Sequence, residues 1–270
     1  MPENPPSITA KKSLGQHFLN NPNIPRKMAD AASVGAGDTV LEIGPGTGVL
    51  TRDLLSRGAT VVAIEADRRA IDALQETFPG EIKAKKLVIF HDDARSLVLD
   101  DYDLPKAYKV VANIPYYLSG LLFRAFLAAA HQPSCLVFLV QREVAERIAR
   151  DSKESILSLS VKVFGEPRYV ETVRKGNFTP APKVDSAIIA VTDISRERLG
   201  DLSEALFFEV VRAGFASRRK QLLGNLTALL PREELIHIFS TLGIPENVRG
   251  EDLSLDGWLA LASAVSVHPK

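Results

Sequence analysis

Cysteine is nearly absent: Cys135 is the only one in 270 residues. That excludes an internal disulfide framework and any thiolate-rich metal centre, and points to a reducing compartment. His17, His91, His131, His237 and His268 are scattered without ligand spacing, and no H-E-x-x-H pattern occurs, so no bound metal is expected. Net charge is also absent. Lys and Arg number 33 against 33 Asp and Glu, so a polyanionic partner must be met by a local basic surface rather than a global field. No apolar stretch is long enough to cross a bilayer, and the first residues lack the basic-then-apolar pattern of a secretory signal. A cytoplasmic protein with no membrane partner, acting as a monomer, is the expectation.

What is present is ordinary globular material, 46% hydrophobic and 24% charged. Residues 1–10 are Pro-rich and short of apolar anchors, which predicts a loose, flexible tail. Beyond them, apolar runs at 39–43, 60–64, 87–90, 109–112 and 136–140 alternate with helical patterns. Continuous β-branched runs spaced by helices predict a parallel sheet covered on both faces, an α/β fold of Rossmann-like form. Two further strand candidates, 158–164 and 186–192, predict an antiparallel hairpin closing one edge. After about Arg196 the pattern turns wholly helical, with Leu206, Phe207, Val210, Val211 and Phe215 and then Leu222, Leu226 and Leu229 at helical spacing. The expected division is 11–195 for an α/β domain and 196–270 for a small helical domain.

Asn113-Ile114-Pro115-Tyr116 follows directly on the fourth strand run. The exocyclic amine of a nucleobase is a poor nucleophile because its lone pair is delocalised into the ring. The Asn113 side-chain oxygen and the Pro115 carbonyl can hold its two N–H groups and favour a pyramidal nitrogen, while Tyr116 stacks on the base. Alone, such a tetrapeptide is commonly a strand-ending turn. Its companions raise its weight. Glu42-Ile43-Gly44-Pro45-Gly46-Thr47-Gly48 joins the first strand to a helix, and Gly44 and Gly46 let a ligand approach the backbone. The dinucleotide fingerprint fails, because Val49 stands where a glycine is needed and Pro45 lacks the N–H that a pyrophosphate would use. Glu65 ends the second strand, where an acid accepts both ribose hydroxyls of an adenosyl group. Asp92 and Asp93 end the third, where a carboxylate can accept an adenine amine. Together these residues point to an S-adenosylmethionine-dependent methyltransferase acting on an exocyclic amine.

With these motifs in place, the chain from about Lys11 to Ala262 resembles the KsgA/RsmA-type small-subunit (16S) rRNA adenine N6,N6-dimethyltransferases. The resemblance rests on Lys12-Ser13-Leu14-Gly15-Gln16-His17-Phe18-Leu19, the glycine-rich turn, Asn113-Ile114-Pro115-Tyr116, and Phe178-Thr179-Pro180-Ala181-Pro182-Lys183-Val184-Asp185-Ser186. In the C-terminal part it rests on Val211-Arg212-Ala213-Gly214-Phe215, Arg218-Arg219-Lys220 and Glu251-Asp252-Leu253-Ser254-Leu255. It implies a class I methyltransferase fold and S-adenosyl-L-methionine as cofactor, held by His17, Leu19, Gly44, Gly46, Glu65, Asp93 and Asn113. It also implies that Phe178 sandwiches the target adenine against Tyr116, and that family members act in late small-subunit biogenesis. Two departures stand out. Tyr117 occupies a position that is often Asn in the family, and Asp151-Ser152-Lys153-Glu154-Ser155-Ile156-Leu157 lacks a common Tyr-Gly-Arg.

The rRNA-binding candidates are Arg212, Arg218, Arg219 and Lys220, in a stretch with no acidic residue from Arg212 to Pro231, with Arg142 and Arg147 as a second set. On composition alone, such a run is as readily a solvated helix face. Two other functions stay open at this point: a large-subunit rRNA adenine methyltransferase of the antibiotic-resistance type, and a non-catalytic ribosome assembly factor on the same fold.

Overall fold

The computed structural model describes residues 8–11, 14–217 and 219–267. Most of the expected tail, and the motif residues Lys12, Ser13 and Arg218, lie outside the described residues. The chain forms two compact units: one runs up to Ala145 and adds Glu166–Ile194, and the other takes Glu146–Gly165 and the chain from Ser195 on.

The first unit is built on β1 (Phe18–Leu19), α1 (Asn23–Ala31), β2 (Thr39–Ile43), α2 (Val49–Ser56), β3 (Thr60–Glu65), α3 (Arg68–Thr77), α4 (Pro79–Lys83), β4 (Leu87–His91), β5 (Lys109–Asn113), α5 (Ser119–Leu127), β6 (Cys135–Gln141) and the start of α6 (Arg142–Ala149), which belongs to the other unit from Glu146 on. After α7 (Ile156–Lys162), the chain adds β7 (Glu166–Val173), β8 (Phe178–Thr179) and β9 (Ser186–Thr192). Seven strands form one sheet in the order β4-β3-β2-β5-β6-β9-β7. The first five in that order are parallel, whereas β9 runs antiparallel to both β6 and β7. Val40, Val61, Ala63, Val110, Val111, Leu136 and Phe138 are fully buried, as strands covered on both faces require. Cys135 is buried too, and burial pushes its thiol up to about 11, far from reactive. Because β2 is flanked by β3 on one side and β5 on the other, the chain direction of the crossovers reverses there. The turns after Ile43, Glu65, His91 and Asn113 therefore open along one edge at the switch point, where such sheets bind ligands.

One strand expectation is corrected. Residues 158–164 do not pair with β9; residues 156–162 are the helix α7, and the true partner is β7. The alternation Ser158-Leu159-Ser160-Val161 imitates a strand, but a reciprocal cap overrides it. The Ser155 hydroxyl accepts from the Ser158 N–H at 3.1 Å, and the Ser158 hydroxyl accepts from the Ser155 N–H at 2.7 Å. Glu154 then ties to Lys162 at 2.6 Å across the same helix. The real edge strand is disguised by Pro167, Arg168 and Glu171, which suit an edge and spoil an apolar pattern.

In the second unit, α8 (Glu204–Gly214), α9 (Leu222–Leu226), α10 (Arg232–Thr241) and α11 (Leu255–Ser266) pack around Trp258. The helical spacing holds for Leu206, Phe207, Val210 and Val211 on α8 and for Leu222 and Leu226 on α9, whereas Phe215 and Leu229 lie just beyond the ends of those helices. Trp258 is fully buried, stacks on Phe215 with ring centroids 5.4 Å apart, and donates from its indole N–H to the Gly250 carbonyl at 3.2 Å. A Cβ on Gly214 would collide with the Trp258 ring and with Leu222. Gly214→Ala should therefore destabilise this unit by about 1 to 3 kcal/mol, the usual range for overpacking a filled core. Urea unfolding followed by the fluorescence of Trp258, the sole tryptophan, measures this directly.

Candidate active site

The carboxyl edge of the sheet opens into a cleft. His17, Gly44, Gly46, Glu65, Asp93, Asn113 and Pro115 all line it. Three positive-φ glycines shape the first turn, Gly44 at 66°, Gly46 at 55° and Gly48 at 77°. A Cβ on Gly46 would stand 2.9 Å from the Phe18 ring, and one on Gly48 would stand 2.7 Å from Phe78, so both are required by close packing. A Cβ on Gly44 would meet nothing within 4 Å: there the bare backbone is an open cradle on the cleft wall.

Glu65 holds this turn in place. Its carboxylate accepts the Gly46 N–H at 3.1 Å through one oxygen and the Asp67 N–H at 2.8 Å through the other. Each oxygen keeps a second lone-pair site, so the pair can still accept two hydroxyls from the cleft. Burial raises the Glu65 carboxyl above its ordinary value, against the opposing effect of the N–H groups of Asp67, Gly46 and Ala66. Asp67 carries the network outward, accepting from Gln16 at 3.2 Å and pairing with Arg69 at 2.5 Å. The Arg69 bond is the main reason that its carboxyl lies well below the usual range. The N-terminal segment is thereby tied beside the cleft. It is tied at its other end too, where β1 pairs with β8 and the His17 ring Nδ1 lies 2.8 Å from the Pro180 carbonyl.

The Asn113 amide N–H donates to the His17 carbonyl at 3.1 Å. This leaves the Asn113 oxygen as an acceptor in the cleft. The Pro115 carbonyl accepts the Leu118 N–H at 2.9 Å, closing the turn and leaving one lone-pair site. Asp93 is more occupied. Arg95 grips its carboxylate, with the closest contact at 2.5 Å, and holds it below its ordinary value. A glycine cradle, a ribose-type acid and a polarising amide in one cleft make up the donor and acceptor set that S-adenosylmethionine needs, and the residues present fit that group.

A family model described as ribosomal RNA adenine dimethylase matches residues 8–266. The chain belongs to the ribosomal RNA adenine dimethylase family. It is 38% identical over 269 residues to the ribosomal RNA small subunit methyltransferase A of Dehalococcoides mccartyi strain CBDB1, covering 97% of this chain and 91% of that protein. It is 40% identical over 260 residues to the protein of that name from Deinococcus radiodurans, covering 95% and 86%. Among solved structures, a dimethyladenosine transferase from Plasmodium falciparum superposes with a TM-score of 0.75 at 28% identity, over 91% of this chain and 96% of that one. The 23S rRNA methyltransferase ErmE superposes with a TM-score of 0.72 at 24% identity, a likeness of fold.

In this adenine dimethylase, three of the expected site residues are not in the cleft. Leu19 and Phe178 are buried in the core, Phe178 at 3% exposure, where β1 and β8 pair Leu19 with Phe178. Tyr116 is half-buried beside the cleft. Its hydroxyl lies 2.6 Å from the Ser186 Oγ, and its ring stacks on His17 with centroids 5.8 Å apart. The sequence reading overlooked Phe18, Gln16 and Arg95. Phe18 bears on the site by packing against Gly46 from β1, a contact that no local pattern signals, and Gln16 and Arg95 act through Asp67 and Asp93, which are distant in the chain or hidden in a turn.

The candidate rRNA residues lie on helices and turns. Arg212 is exposed in the last turn of α8, and Arg219 and Lys220 are exposed in the turn that follows. The buried Asn225 amide shapes that turn by donating to the carbonyls of Gly214 at 2.6 Å and Ser217 at 3.1 Å. Arg142 and Arg147 lie on α6, Arg142 exposed and Arg147 half-buried.

Beneath the glycine turn, Glu42 is 1% exposed and accepts the Thr51 hydroxyl at 2.7 Å. Burial pushes its carboxyl up to about 8, opposed by the Thr51 bond and assisted by the nearby charge of Glu65. In the unfolded chain it ionises near the ordinary 4.5. The native state thus binds the extra proton, and wild-type stability falls as pH rises between those two values. Glu42→Gln, which imitates the protonated acid, should gain on wild type across that window and hold a constant advantage above it. Each displaced unit is worth about 1.4 kcal/mol at most. Urea midpoints of both proteins from pH 5 to pH 9 check the trend; parallel curves would place Glu42 outside it.

Proposed function

We propose that this chain transfers methyl groups from S-adenosylmethionine to the N6 amines of adjacent adenosines in small-subunit ribosomal RNA. We further propose that it works in the cytoplasm as a monomer and takes part in late small-subunit biogenesis. Among the described residues, no helix is long and apolar enough to cross a membrane. The observation that carries the catalytic reading is the Asn113 amide, whose N–H is spent on His17 so that its oxygen serves the cleft shared with Glu65 and Gly44. The name of the relatives supports small-subunit rRNA as the substrate class.

When bound, the methyl donor supplies an electrophilic methyl group on sulfonium sulfur. The chain does the rest by positioning and charge stabilisation. Glu65 and the Gly44 cradle orient the adenosyl end. Asn113 and the Pro115 carbonyl accept the N–H groups of the target amine and align its lone pair with the methyl. These bonds strengthen as the nitrogen becomes pyramidal, so they act on the rate. The proton leaves to solvent after transfer, and no side-chain base is required. In the second round the amine has one N–H left, so one acceptor suffices and the place of the other must admit a methyl group. Tyr116 offers a face to the base; Phe178 becomes its second face only if the β1–β8 contact that covers it opens. The flipped base is presented by a folded RNA held through its phosphates.

Two experiments test this reading. Incubating the protein with labelled S-adenosylmethionine and unmethylated small subunits should label adenosines as N6,N6-dimethyladenosine. In the same assay, Asn113→Ala should lower the single-turnover rate by about tenfold or more while subunit affinity changes little, the loss of a bond made chiefly in the transition state. A wild-type rate in that variant would remove Asn113 from the chemistry.

The second experiment concerns Arg218, Arg219 and Lys220. If they meet phosphates, replacing all three with Gln should weaken subunit binding and reduce the salt slope by up to about 3, as fewer counterions are released. Cofactor affinity should stay constant. Filter binding across a salt series measures both, and an unchanged slope would shift the rRNA contact to Arg142 and Arg147.

A further inference from the structure

Of the three aromatic rings at positions 116, 117 and 178, only Tyr117 lines the cleft. It is also 59% exposed, a large ring left without a cover. Its hydroxyl makes no hydrogen bond among the described residues, in contrast to the Tyr116 hydroxyl on Ser186. The ring is nevertheless held in place. A Cβ on Gly15 would come within 3.1 Å of the Tyr117 Cε1, so the bare backbone of Gly15, at a φ of 62°, serves as a rest for the edge of the ring. Tyr117 lines the same cleft as Asp93 and the Arg95 that grips it. The ring therefore shares its cleft with the Asp93 carboxylate, which can meet an adenine amine. Ile64, Ala66, Ile114 and Leu118 add apolar surface to the wall of this cleft.

We propose that Tyr117 is a cofactor-positioning residue, the aromatic face that covers the adenine of the methyl donor. The proposal rests on the S-adenosylmethionine reading above and adds to it the residue that fixes the adenine plane. An exposed ring in a cleft loses contact with water when a planar heteroaromatic lies on it, and any base offers a π-face for that stacking. Tyr116 is left for the target base, so the two consecutive tyrosines divide the two adenines between them.

Calorimetry on the full chain with S-adenosylhomocysteine and with 5′-methylthioadenosine, which lacks the amino-acid end, tests the assignment. Tyr117→Ala and Tyr117→Leu should each raise Kd for both ligands by about tenfold, the scale of one lost stacking contact. Tyr117→Phe should stay within about twofold of wild type, because the face of the ring, not its hydroxyl, makes the contact. Wild-type Kd in the Ala and Leu variants, or a loss seen with S-adenosylhomocysteine alone, would overturn the proposal. So would normal nucleoside affinity combined with weakened subunit binding, which would assign the ring to RNA. A wild-type protein that binds neither nucleoside would instead sink the methyl-donor reading itself, and Glu65→Ala serves as the comparison for a lost adenosyl contact.

Discussion

The Glu65 carboxylate is the constraint on which the cleft depends. It lies at the end of β3, only 6% exposed, and it holds the glycine turn after β2 and the turn after β3 through one N–H each. Its carboxylate joins two turns whose strands are already held by the Gly44 N–H donating to the Ile64 carbonyl at 2.9 Å, and it fixes how the turns meet beyond that point. A buried carboxylate is costly to desolvate, and burial raises the Glu65 carboxyl above its ordinary value. The backbone N–H groups offset it by hydrogen bonds to the charged form. The remaining lone pairs face a cleft rather than the core, which is where a ligand with two hydroxyls would complete the coordination.

The N-terminal segment depends on the same arrangement from the other side. Gln16 reaches Asp67, whose own N–H is bound to Glu65, and the His17 carbonyl orients the Asn113 amide. A short strand pair and the His17–Pro180 contact hold the far end. One strap therefore touches both the adenosyl side and the amine side of the cleft. Its geometry makes the acceptor state of Asn113 a consequence of where residue 17 sits, not of Asn113 alone.

The aromatic residues show how far neighbouring positions can diverge. Tyr116, Tyr117 and Phe178 are similar in chemistry, yet one is bonded and stacked beside the cleft, one lies open within it, and one is core. The difference comes from the backbone. The short turn after Asn113 points consecutive side chains in different directions, and Phe178 is turned inward by its pairing with Leu19. The second unit uses its aromatics otherwise, with Trp258 locking Gly214 so that Asn225 can shape the turn bearing Arg219 and Lys220.

Much of this was legible in the sequence because it is local. Continuous β-branched runs mark the strands, the glycines at 44, 46 and 48 mark a turn of positive φ, two of them packed on rings, and the acids and Asn113 fall at strand ends by simple counting. The fold class, the methyl-donor chemistry and the family follow from those patterns. Residues 158–164 misled because serine and aliphatic residues alternate there with strand period, while a cap at Ser155 decides for helix. What only the tertiary structure decided is which groups are spent and which are available. The Asn113 N–H is used and its oxygen kept, Asp93 is gripped by Arg95, Phe178 is covered and Tyr117 is open. Hydrogen-bond capacity and exposure are set by partners far away in the chain, and no local pattern of residues records who those partners are.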